Sequence, residues 1–261
     1  MSASGTRRWA LAGAALGLLG ALVAFAPARW LAAGLAQATQ QRLLLAEARG
    51  SIWSGSAQLV LSAGEGSRDA RQLPGRLQWR LGLQGSSLAL ALRQDCCTNG
   101  ELKLLLRPGL GRFGLSLPPQ GEWLLRWPAE LLAGLGTPMN SLEPQGVLTL
   151  ASPGLDMDWA QGRWSLRGRL DLGLQDISSR VSTLAPLGSY RFSLVAGADG
   201  APQLELITLR GALQLQGQGS LAPRASFRGE ASAAPGAEAA LANLLNIIGR
   251  RQGARSIISV G

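Results

Sequence analysis

Strict alternation of leucine or tryptophan with polar and small residues is the feature that most constrains this chain. Leu77, Trp79, Leu81 and Leu83 alternate with Gln78, Arg80, Gly82 and Gln84, and Leu88, Leu90 and Leu92 follow the same rule. Further on, Trp164, Leu166, Leu170, Leu172 and Leu174 alternate with Arg163, Ser165, Arg167, Arg169 and Asp171, and Leu213 and Leu215 with Gln214 and Gln216. A period of two sends successive side chains to opposite faces, so these runs predict half-buried antiparallel strands with one apolar and one wet face. Arg107-Pro108-Gly109, Pro118-Pro119-Gln120-Gly121 and Ala198-Asp199-Gly200 punctuate the runs as turns. The expected fold class is mainly β: a curved antiparallel sheet, built as a meander or half-barrel, behind an N-terminal transmembrane helix and ahead of a short C-terminal helix. A sheet with one greasy face needs a cover, from a helix, from itself, from a partner or from lipid.

The N-terminal helix is read from a different pattern. Ala10 to Ala26 is entirely apolar or glycine, about the shortest run that crosses a bilayer core as a helix. Arg7 and Arg8 precede it, which by the positive-inside rule sets the N-terminus in the cytoplasm and the rest of the chain outside the inner membrane. A cleaved signal peptide is the rival, since Ala24-Phe25-Ala26 resembles a cleavage site, but Pro27 would follow the cut and the run is long for that purpose. The expected organisation is a cytoplasmic tail at 1–8, a transmembrane helix at 9–28, a periplasmic linker helix at 29–48 and a periplasmic β-rich domain at 49–261. That domain divides loosely into halves at 49–136 and 146–261. Within the helix, Gly13, Gly17 and Ala21 recur every four residues, a spacing that lets a second membrane helix approach closely; a glycine- and alanine-rich composition produces the same pattern.

Composition narrows the function classes. Histidine is absent, the single tyrosine is Tyr190, and the two cysteines are adjacent. The cheapest routes to general-base catalysis and to zinc binding are therefore missing. Neither a nucleophile elbow nor a phosphate-binding glycine loop follows any strand-like run. No catalytic residue, cofactor site or metal site is expected, and Asp156 and Asp158 stand too isolated to form one. The formal charge of +9 comes from basic residues scattered along strands rather than clustered with aromatics, so nucleic acid is not an expected partner. Glu238 to Ile248 carries Leu241, Leu244, Leu245 and Ile248 on one helical stripe, with Gly249 expected as its C′ stop and Ser256–Val260 as a last strand.

Cys96-Cys97 precedes Thr98-Asn99-Gly100 between two strands, and Asn-Gly signals a hairpin. In an oxidising compartment adjacent thiols can close an eight-membered ring, a vicinal disulfide that stiffens the turn; a redox role would need an exposed, acidified thiolate. Most of the eight tryptophans lie in strand-like segments and are expected in the core.

Several segments in order resemble one family. Phe25-Ala26-Pro27-Ala28-Arg29-Trp30, then Arg49-Gly50-Ser51-Ile52-Trp53-Ser54-Gly55, then Leu73-Pro74-Gly75-Arg76-Leu77-Gln78-Trp79, and finally Leu244-Leu245-Asn246-Ile247-Ile248-Gly249-Arg250-Arg251, look like the type II secretion system protein N family. Gly50, Trp53, Gly55, Pro74, Trp79, Gly249, Arg250 and Arg251 carry the resemblance. It implies a non-enzymatic accessory subunit in the inner membrane that supports export of folded proteins across the outer membrane by contacts with other inner-membrane secretion subunits. The strand pattern is also similar to AsmA-type periplasmic proteins, which implies lipid as the alternative partner.

Overall fold

The computed structural model describes residues 3–222 and 225–261. Part of the tail expected at 1–8, and the side chains of Arg7 and Arg8, lie outside the described residues. Two helices lead in, α1 (Ala3–Ala24) and α2 (Ala28–Ala38). Pro27, extended at φ −73° and ψ 148°, separates them and begins the second, because proline has no amide proton to lose at a helix start. The linker expected as helix over 29–48 is only partly so. Leu43–Gly50 is the first strand, since Leu43, Leu44 and Leu45 gain ladder partners in Leu61, Val60 and Leu59.

The first run of strands is β1 (Leu43–Gly50), β2 (Ser54–Ser62), β3 (Ala70–Gln72), β4 (Leu77–Gln84), β5 (Ser87–Arg93), β6 (Leu102–Gly109), β7 (Arg112–Leu117) and β8 (Leu125–Pro128). A 3-10 turn at Ala129–Leu135 and a single helical turn, α3 (Met139–Leu142), interrupt them. Then come β9 (Gln145–Ala160), β10 (Arg163–Ser178), β11 (Gly188–Ala196), β12 (Pro202–Gly211), β13 (Leu213–Ser220) and β14 (Ser226–Ala233). The helix α4 (Glu238–Ile248) precedes β15 (Arg250–Gln252) and β16 (Arg255–Val260). Among the described residues all of these strands join one open antiparallel sheet, in the order β1-β2-β4-β5-β6-β7-β9-β10-β11-β12-β13-β14-β16-β15, with β3 beside β2 and β8 beside β9. The mainly β fold with a short C-terminal helix is therefore as expected. Consecutive strands are neighbours almost throughout, as a meander requires.

Register turns the alternation into rows. Leu83, Leu88, Leu106, Leu115, Met157 and Leu166 are successive cross-strand partners from β4 to β10. Leu172, Phe192 and Leu206 form a similar row, continued on β13 and β14 by Gly217 and Gly229. Those glycines leave a notch: a Cβ on Gly217 would meet the Phe227 ring at 2.5 Å, and Phe227 lies across the space they vacate. The opposite face is wet and carries the ion pairs Arg107–Asp158 (3.3 Å), Arg167–Asp158 (3.4 Å) and Arg169–Asp171 (2.7 Å). Such exposed pairs are each worth about 0–1 kcal/mol.

The two ends of the sheet differ. At one end, Ala129–Leu142 lies on the apolar face, where Leu131 packs with Leu59 and Leu73 while Leu142 joins Leu148 and Ile177. This plug touches β2 and β3 as well as β9, which the sheet order separates, so the sheet curls around it. Beside the plug, α4 buries Leu241, Leu244 and Leu245 against Leu213, Tyr190 and Ala231. Each such leucine contributes roughly 1.5–3 kcal/mol of burial. The helix stops at Ile248 as expected, but Gly249 is extended, at φ −169°, and not left-handed, because the chain turns directly into β15, and a Cβ there would lie 2.6 Å from the carbonyl oxygen of Ile257. The other end, where α1 joins, carries no such plug among the described residues, and β4–β5, β6–β7 and β9–β10 close there in tight hairpin tips. At one of them Gln161 and Gly162 both have positive φ, the geometry of the two-residue turn that matches strand twist.

Among the described residues no helix is long and apolar enough to cross a membrane. The leucines of α1 are diluted by alanine and glycine, and every described side chain from Leu11 to Phe25 is exposed.

Candidate functional site

Three places gather the residues singled out from the sequence, and the first is the junction between α1 and the sheet. Gly50 pairs with Gly55 and Gly55 with Trp79 across β1, β2 and β4. A Cβ on Gly55 would run into the Trp79 indole, so only glycine lets that ring lie flat on the backbone. Trp79 is 4% exposed, and its indole N–H lies 3.2 Å from the carbonyl oxygens of both Ser51 and Ile52. Trp53 donates its indole N–H to the carbonyl of Val23 at 2.8 Å, and the Ile52 amide donates to Ala26 at 2.9 Å. The β1–β2 turn thereby grips the last turn of α1, and Pro27 bridges Ser51. The spacing Gly-x-x-Trp-x-Gly is thus a joint: glycines for close approach, one tryptophan holding the helix and a second beneath the turn.

Gly13, Gly17 and Ala21 lie on α1 beyond this joint and are exposed. A Cβ built on Gly13 or Gly17 would meet nothing within 4 Å, so their face has no partner within the described chain. Another side of α1 leans toward the β4 tip, leaving a cleft of about 840 Å³ lined by Leu16, Leu19, Val23, Trp53, Leu81 and Leu83.

At the plugged end, Cys96 and Cys97 are bonded to each other. Cys96 is exposed and Cys97 is buried. The Cys96 sulfur lies 3.1 Å from the Pro74 carbonyl oxygen, a contact and not a hydrogen bond because a disulfide sulfur carries no proton. Pro74 also accepts the side-chain amide of the buried Gln94 at 2.8 Å. Asn99-Gly100 does not close the two-residue hairpin its sequence suggests. The Asn99 amide donates instead to Leu124 at 3.1 Å, and the Cys97 carbonyl accepts from the Arg126 amide at 2.8 Å. The cysteine turn clasps β8, filling the place in the sheet that β7 vacates. Gly249, Arg250 and Arg251 lie apart from the other motif residues, at the far edge, with both arginines exposed on β15.

The third place was visible only as alternation. Between the plug and the hairpin tips, Leu150, Leu170, Leu172, Phe192, Leu194 and Leu204 line a trough of about 380 Å³ on the apolar face. Among the described residues Leu194 is buried at its floor, while Leu150, Leu170, Leu172, Phe192 and Leu204 are half-buried along it. Neither its six members nor its position could be read without register, which brings together strands far apart in sequence. Asp156 and Asp158, alternating on the wet face, are engaged by Arg107 and Arg167, and no cluster of metal-ligating side chains occurs among the described residues. Tyr190 is buried and donates to the Leu213 carbonyl at 3.1 Å, and burial pushes its phenol well above the ordinary tyrosine range.

A single sheet with one apolar face, plugged at one end and jointed to an exposed apolar helix at the other, defines a β domain carried on a helical stalk. The model of the type II secretion system protein N family matches residues 41–258, and the chain belongs to that family. No curated protein and no solved structure matches it. Its role lies in type II secretion, with other components of that system as its partners.

Proposed function

We propose that this chain is a non-enzymatic accessory subunit of the type II secretion system, anchored in the inner membrane by α1 and holding its β domain in the periplasm. In this reading it supports export of folded proteins by protein contacts with the inner-membrane platform. The observation that carries it is the joint. A helix whose described apolar side chains are all exposed is held to the domain by Trp53, Ile52 and Pro27, so whatever binds the helix fixes the domain. Leu11 and Leu16 are each 70% exposed, a state that water penalises and that lipid or another helix relieves. The Gly13, Gly17 and Ala21 face suits a second membrane helix. The lack of histidine, and the engagement of Asp156, Asp158 and Asp171 by arginine, support a binding role over a catalytic one.

Affinity purification of the tagged full chain from membranes tests this. Recovery of platform subunits, lost when Gly13 and Gly17 are replaced by leucine, is the expected result. Intact secretion in a strain lacking the gene would count against it.

The apolar trough favours a second reading, a lipid-binding or lipid-conducting module similar to AsmA-type proteins. Its lining of leucine and phenylalanine offers an acyl chain contact without a polar demand. Native mass spectrometry of the chain released from mild detergent would show a bound phospholipid, displaced by Leu172→Arg. A lipid-free spectrum would end this reading.

A further inference from the structure

The unplugged end of the sheet has a composition of its own. The pairs Gln84↔Ser87, Gly109↔Arg112 and Ala160↔Arg163 close hairpins at 85–86, 110–111 and 161–162. Leu88↔Leu106 and Arg112↔Ala160 set these tips side by side, and Ser54↔Arg80 places the α1 joint beside the first of them. The tips therefore form a rim at the end where α1 leaves the domain. Leu83 is 80% exposed and Leu110 is fully exposed. Phe113, Trp159 and Trp164 are direct cross-strand partners on the apolar face of the same rim, with the two indole rings 6.5 Å apart. Core packing does not account for Phe113 and Trp164, each 38% exposed.

The charge on the three tips themselves is basic. Arg112 and Arg163 flank the second and third tips, both exposed and both without an ion-pair partner among the described residues. The three tips Gln84–Ser87, Gly109–Arg112 and Ala160–Arg163 contain no acidic residue. Behind the tips Asp158, on the same face as Arg112 and Arg163, is paired with Arg107 and Arg167, and Asp199, on the neighbouring β11–β12 tip, is turned onto the Ala201 amide of its own loop. Exposed leucine at tips, tryptophan just behind and arginine beside them match a lipid–water interface, where indole sits at headgroup depth and guanidinium meets phosphate.

We infer that this rim is a second membrane contact: the tips of β4–β5, β6–β7 and β9–β10 rest on an anionic bilayer surface, with Leu83 and Leu110 in the interfacial layer and Arg112 and Arg163 on lipid phosphates. The inference rests on the inner-membrane reading of α1, whose cleft with Leu81 and Leu83 is then continuous with the bilayer. It turns the domain so that the open end of the apolar trough faces lipid and the plugged end faces away.

The test is electron paramagnetic resonance on the full chain in vesicles of phosphatidylethanolamine and phosphatidylglycerol. Nitroxides are carried on an encoded ketone residue, so that the cysteines stay bonded, at position 110, at position 17 on α1, or at the exposed position 239 on α4. Collisions with oxygen report lipid and collisions with a nickel chelate report water. The expected result is a several-fold excess of oxygen over nickel contact at 17 and 110, with 239 aqueous, and loss of most of that excess at 110 in Arg112→Glu/Arg163→Glu. An aqueous 110 with 17 in lipid overturns the rim contact and leaves the anchor standing. Lipid at 110 with 17 in water supports the rim and overturns the anchor; water at both overturns both. A label at 110 shielded from both reagents marks a protein contact and overturns the inference.

Discussion

At the scale of single residues, Gly55 and Trp79 are matched by necessity. The ring covers the glycine so closely that any side chain at 55 must displace it, and the ring's N–H faces the turn that grips α1. Gly55→Val is expected to destabilise the chain by roughly 1–3 kcal/mol through overpacking, and Trp79→Ala by about 3–5 kcal/mol through the cavity it opens. Urea unfolding in detergent, followed by far-ultraviolet circular dichroism, measures both; unchanged midpoints would show that the joint bears no strain from either. Tyr190 gives a second prediction at this scale. Its phenol is raised above the ordinary value of 10.0 by burial, so the folded state holds that proton more tightly than the unfolded state does. The stability it contributes is fully present below pH 10 and is lost as pH rises through the raised folded value. As the chain has one tyrosine, tyrosinate absorbance near 295 nm reports it alone. The signal should lag well beyond pH 10 in folded protein and return to the ordinary range in denaturant. The same midpoint in both states would contradict the burial.

Among the elements, α4 and the cysteine turn make separable contributions. Leu245→Ala on α4 removes a fully buried side chain from the core under β13 and β14 and should cost about 2–5 kcal/mol in the same unfolding assay. Cys96→Ser/Cys97→Ser should leave most of that stability in place while speeding hydrogen exchange at the Asn99 and Arg126 amides, which the turn directs to and from β8. Unaltered exchange there would mean that the ring does not stiffen the clasp. The strands and α4 were legible in the sequence because their periods are strict: Leu77 to Leu83 can only be a one-sided strand, and Leu241, Leu244, Leu245 and Ile248 only a helical stripe. Less was legible where period is weak. Leu43-Leu44-Leu45-Ala46 has no alternation and follows a helical run, so β1 is set by its ladder to β2 and not by its own pattern. Gly249 carried a stop signal that the following strand satisfies with extended backbone instead. The clasp escaped for the same reason: Asn99-Gly100 has the residues of a hairpin, and the carbonyl of Leu124, distant in sequence, decides otherwise.

For the molecule as a whole, alternation tells which side of a strand is greasy but not which strand lies beside it. The trough and the rim are properties of neighbourhood. Leu83 and Leu166 stand in one row only because four strands intervene in register, and Phe113, Trp159 and Trp164 meet only because β7 and β10 flank β9. The joint, in contrast, was visible as a motif, because Gly50, Trp53 and Gly55 are close in sequence and act locally. The resulting molecule is polar on one face, plugged at one end and linked at the other to a helix that the domain leaves bare. The domain, which lies within the family match over residues 41–258, has its role in type II secretion.

In the proposed reading this helix is where the chain joins the secretion machinery. Site-specific photocrosslinking in intact cells tests it most directly, with a photoreactive residue at position 17 compared with one at position 18 on another side of α1. A discrete adduct between position 17 and an inner-membrane secretion subunit, weaker or absent from position 18, is the expected result. Position 17 free of any protein adduct, in cells that secrete normally, would contradict it.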